Sequence, residues 1–164
     1  MKKIALVLMT GLIFWLISPI HILASFEGMT EETRNLLSMF ETQNANLVKM
    51  LDFVSGIKGQ SQETYVECAA GKVLMKEERV LISQSQKLLF EIEKITKQAK
   101  NAKKEGALSA EEKEKIKKEV ESKMGEISQK IGKISAIHLK VMKYLSEKFD
   151  FLLKESEKRK STLV

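Results

Sequence analysis

Apolar residues recur along this chain at alternating three- and four-residue intervals in three separate runs, the period of one face of an α-helix. The first run is Leu37, Phe40, Leu47, Leu51 and Val54, with Asn44 in its gap, read here as turning toward the rim. In the second, Leu74, Leu81, Leu88, Ile95 and Ala102 follow one another every seventh residue, with Ile92 and Ala99 in the alternate slots. That is a coiled-coil seam, interrupted where Glu78 and Ser85 take slots that an apolar residue would fill. The third carries Ile116, Val120, Met124, Ile127, Ile131, Ile134, His138, Val141, Leu145 and Leu152. No stretch alternates apolar and polar residues, so sheet is not expected.

Breakers and caps divide the runs into helices over about 31–55, 62–104 and 110–157. Thr30 before Glu31 and Glu32 reads as an N-cap with acids at the positive helix end. Gly56, Gly59, Gln60 and Ser61 form a first turn, and Gly106 stops the second helix after Lys103 and Lys104. Ser109 followed by Glu112 is a capping box. The expected fold is all-α: a three-helix antiparallel bundle with a long coiled-coil-like hairpin projecting beyond a shorter first helix. Folding the hairpin at Gly106 sets residues whose numbers sum to about 213 at one height. The first helix then covers only Gln62 to about Phe90, leaving a two-helix arm from Ile92 to Val120 with a polar tip over 97–119. Phe40, Phe53, Tyr65, Phe90, Tyr144, Phe149 and Phe151 gather where a third helix can cover them.

The first 24 residues are of a different character. Lys2 and Lys3 precede an uncharged apolar run from Ile4 to Ile17, then Ser18 and the single proline, Pro19. This is the layout of a secretory signal peptide with cleavage expected after Ala24; the alternative is an uncleaved anchor over residues 4–24, the only expected membrane contact. Either reading exports the body, 25–164, to the periplasm or beyond. At 164 residues the chain suits one domain.

Charge is unevenly shared. Phe26 to Gly71 holds three basic and seven acidic residues, and Lys72 to Val164 twenty-three basic and fifteen acidic. Basic residues interleaved with glutamates and lacking stacking aromatics do not suit nucleic acid. Two basic sets stand out: Lys100, Lys103, Lys104, Lys113, Lys117 and Lys118 around the arm, with Ile95, as a partner contact, and Lys154, Lys158, Arg159 and Lys160 as a patch for a polyanion or membrane surface. Cys68 is the one cysteine, a small half-buried residue or the site of an intermolecular disulfide in a homo-oligomer. After signal removal His138 is the one histidine, and without a second ligand nearby no metal site or cofactor is expected. No phosphate loop or nucleophile motif appears, so the chain is not expected to be an enzyme.

In outline alone the hairpin resembles the periplasmic Skp-type chaperones, though no strand pattern supplies their trimerisation body. The expected function is an exported helical interaction or scaffold protein that meets a protein partner through its arm or its aromatic-rich end. A membrane-tethered structural coiled coil, a chaperone-like binder and a small helical subunit of a secretion system are the alternatives.

Overall fold

The computed structural model describes residues 21–57, 60–104 and 109–161, and the side chains of 28–57, 60–102 and 109–155. Nearly all of them lie in three helices, α1 (His21–Gly56), α2 (Gln62–Lys104) and α3 (Ala110–Ser161). The helices pack on one another, α1 and α3 mainly on α2 and more sparingly on each other. This is an all-α three-helix bundle, and no strand occurs among the described residues. At 36, 43 and 52 residues, the helices run roughly 54, 64 and 78 Å. The body of the expected signal segment, 1–20, lies outside the described residues.

The first helix starts earlier than its cap signal suggested. It begins at His21 and runs unbroken through Ala24 and Thr30, so Thr30 is a buried mid-helix residue and not an N-cap. Below Pro19 only Gly28 opposes a helix, at about 1 kcal/mol, too little to set a boundary. Its extra turns change the shape. Arg34 pairs with Glu93, Gln86 donates to Glu41 at 3.2 Å, and Thr30, Glu31 and Arg34 share a groove with Thr96, Lys97 and Lys100. Three helices therefore run side by side at least as far as Lys100, whereas the sequence placed the end of the three-helix body near Phe90.

Between α2 and α3 the expected register holds. Glu91 with Lys123, Gln84 with Lys130, Glu78 with His138 and Cys68 with Tyr144 all join residues whose numbers sum to between 212 and 216. The seam itself is rotated by about one residue. Its centre is Cys68, Met75, Ile82 and Leu89, alternating with Glu78, Ser85, Ile92 and Ala99. Leu74, Leu81, Leu88 and Ile95 flank that line half-buried, because α2 is sandwiched between two helices and splits its apolar stripe between them.

Both turns into the hairpin are capped. The Ser61 hydroxyl accepts from the Thr64 amide at 3.2 Å, and at the far end Ser109 and Glu112 close the reciprocal capping box at 2.8 and 3.2 Å. Near the first turn, Gly71 lets α1 approach closely: a Cβ there would lie 2.9 Å from Leu51, itself fully enclosed.

The aromatic residues depart most from expectation. Phe40 is buried, and Tyr144 and Phe149 are half-buried, but Phe53, Tyr65, Phe90 and Phe151 are exposed. Their phase explains it. The core seats recur on the aliphatic heptads, and these four aromatics fall on the outward positions between them.

Candidate interaction face and the polar layer beneath it

Two core clusters fill the bundle. One holds Leu37, Phe40, Ile82, Leu89, Ile92, Val120, Ile127 and Ile134; the other holds Leu47, Leu51, Val54, Cys68, Met75, Val141 and Leu145. Between them lies a layer of three buried polar residues, one from each helix: Asn44, Glu78 and His138. Asn44 is 5% exposed and turns inward, contrary to its expected rim position, donating to the Met75 carbonyl at 2.8 Å. His138 Nδ1 sits 3.3 Å from Glu78 Oε1, with Phe40 edge-on against the imidazole at 5.8 Å. Burial pushes the Glu78 carboxyl above the usual carboxylate range, opposed by its contacts with His138 and Asn44. Its second oxygen, Oε2, has no hydrogen-bond partner among the described residues. Sealed within the core, the layer is suited to holding three helices in one register, since sliding any of them would strand a buried polar group.

A second polar cluster closes the lower end. Cys68 Sγ lies 3.4 Å from the Tyr144 hydroxyl, which also donates to the Thr64 carbonyl at 3.4 Å. Lys148 pairs with Glu67 at 2.8 Å and lies over the Tyr144 ring. Burial, the Cys68 thiol and the nearby Glu67 charge together push the Tyr144 phenol upward. Cys68 is fully enclosed, so a disulfide to a second copy would require the seam to open there.

The outer surface carries the more distinctive feature. Phe53 of α1 stacks on Phe149 of α3 with ring centroids 6.4 Å apart, and Phe40 meets the His138 ring, so the two helices adjoin and run parallel. On the flank where they adjoin, α1 exposes Met39, Met50 and Phe53 and α3 exposes Leu139, Met142 and Leu153, each between 42% and 62% exposed. On each helix two of the three are three residues apart and the third lies eleven residues away on the same helical phase, and none of the three described helices covers them. Of these six, the sequence reading placed Phe53 under a third helix and assigned the other five to no face. The signal that locates them is a second heptad phase running beside the first.

The residues expected to meet a partner do not form one surface. Ile95 is half-buried against the upper core, and Lys100 borders the charged groove beside Arg34 and Glu93. Lys113 is exposed; Lys117 and Lys118 pair within α3 to Glu121 and Glu114 at 3.8 and 3.9 Å. Lys103 and Lys104 end α2, with side chains outside those described. Lys154 is exposed near the end of α3, while the side chains of Lys158, Arg159 and Lys160 are likewise outside the described set. No group of three or more His, Cys, Asp or Glu able to hold a metal occurs among the described residues, and no described helix is long and apolar enough to cross a membrane. Comparison with family models, characterised proteins and solved structures found no match.

Proposed function

We propose that this chain is an exported, non-enzymatic helical interaction protein that presents the α1–α3 flank to a protein partner. The observation that carries the reading is the paired apolar face: six large side chains on the adjoining flanks of two helices, open to water. At roughly half exposure each they offer on the order of 500 Å² of apolar surface, near the upper end of what a monomer ordinarily leaves in one patch. Export rests on Lys2, Lys3 and the apolar run Ile4 to Ile17. This moves the contact from the charged arm to the aromatic-rich end of the bundle.

The test is a cross-linking capture from the native envelope using the intact protein, Phe53→Glu with Leu139→Glu, and Val73→Glu on α2 as an equally exposed control. The reading expects the paired flank variant to lose at least about tenfold of the recovered partner, equivalent to about 1.4 kcal/mol, and the control to lose little. Equal recovery from all three would reject it.

The unbroken passage of α1 through Ala24 favours a second reading, in which residues 4–24 stay attached and tether the bundle at a membrane. Mass spectrometry of the native N-terminus separates the two. A chain starting at Ser25 removes the tether, and one retaining Ile4 removes the cleaved form.

A further inference from the structure

The connectivity fixes the end of the bundle at which the apolar N-terminal segment joins it. Arg34 with Glu93, Glu41 with Gln86, Asn44 with Met75 and Asp52 with Lys72 link residues of α1 and α2 whose numbers sum to between 119 and 127. The two helices are therefore antiparallel, and at either limit His21 is level with a residue between 98 and 106. That range covers the last turns of α2 and the reversal into α3, so the chain passes from the run Ile4 to Ile17 into α1 beside the hairpin tip, at the end opposite Gly56. The surface is graded along the same axis. Around the tip the exposed side chains are charged, polar or small, among them Lys97, Lys113, Lys115 and Lys118 with Glu111 and Glu114. Among the described residues, large apolar side chains become exposed only further away, beginning at Met39 on α1, Phe90 on α2 and Leu139 on α3. From the tip-side ends of their helices these lie 18, 14 and 29 residues in, roughly 27, 21 and 44 Å.

We infer that the hairpin tip is the membrane-facing end of the chain and meets lipid headgroups, an inference that rests on the reading above in which residues 4–24 remain as a tether. A tether held in the bilayer brings the end of the bundle that it joins to the membrane surface. Interleaved lysines and glutamates suit the hydrated, charged headgroup layer and keep the tip out of the acyl chains, where each charge would be costly. The bundle then stands on its tip. Phe53, 32 residues along α1 from His21, is held roughly 48 Å out, so the exposed apolar side chains are carried away from the lipid.

The full-length chain is reconstituted in vesicles of phosphatidylethanolamine and phosphatidylglycerol that include a lipid with a nitroxide on its headgroup. It carries one fluorophore, on Lys113→Cys at the tip or on Asp150→Cys toward the far end, 37 residues and roughly 56 Å apart along α3. Both positions are exposed, and the parent chain, whose Cys68 is enclosed, sets the labelling background. The inference expects quenching at position 113 several times stronger than at position 150. Equal quenching, or stronger quenching at 150, overturns it, because the bundle then lies along the bilayer or stands the other way up. Mass spectrometry of the chain from its native membrane separates the two ways of failing. With residues 4–24 present, equal quenching rejects the orientation and leaves the tether standing, whereas a native chain starting at Ser25 rejects the tether and the orientation with it.

Discussion

At the scale of single residues, the Glu78–His138 pair carries the sharpest energetic consequences. Removing one member leaves the other buried without its partner, so His138→Leu should cost about 3–5 kcal/mol in denaturant unfolding. Replacing both with leucine should be neutral or stabilising by about 1–4 kcal/mol, because the apolar clusters above and below become continuous. The pair also sets a pH dependence. A carboxyl raised by burial binds its proton more tightly folded than unfolded, so its contribution is full below the ordinary value of 4.5 and is lost as pH rises through the raised one. Glu78→Gln should therefore flatten the decline of the melting temperature above about pH 4.5, and an unchanged slope would assign it to other groups. Cys68 offers an independent check on enclosure. Its thiol should react with Ellman's reagent only at the rate of unfolding, and immediate reaction in native buffer would place it outside the seam.

At the scale of elements, close approach and exposed charge divide the helices into tight and loose stretches. Gly71→Ala would gain about 1 kcal/mol of helix propensity but push a Cβ against the enclosed Leu51. The expected net is a loss of about 1–2 kcal/mol in thermal unfolding, and a gain would show that α1 can shift. Toward the hairpin tip, the start of α3 from Ala110 to Lys115 is exposed throughout, and Ile116 is only half-buried. Its amides should exchange with deuterium faster than those between Ile127 and Leu145, and more so at high salt, which screens the Lys118–Glu114 and Lys117–Glu121 pairs.

At the scale of the whole molecule, three helices cannot cover every apolar stripe that two of them carry. The core is complete along Leu37 to Val54, Cys68 to Ala99 and Val120 to Leu145, yet α1 and α3 retain a second open line. If that line is covered by a second copy, unfolding is coupled to dissociation and the melting temperature rises with protein concentration. A melting temperature that stays constant over a hundredfold range of concentration would point to a monomer.

Periodicity and capping determined that the chain forms three helices, that it reverses between Lys104 and Ala110, and the register between α2 and α3, because both signals are local and a short connection leaves one way to align two helices. The capping box at Ser109 and Glu112 was readable for the same reason. Tertiary packing decided the rest. It turned Asn44 inward beside Glu78 and His138, since a third helix brings three polar residues to one height and lets a side-chain amide reach a carbonyl across the core. It also left Phe53 outside while enclosing Cys68, since burial depends on a residue's phase relative to two neighbouring helices and not on its hydrophobicity alone.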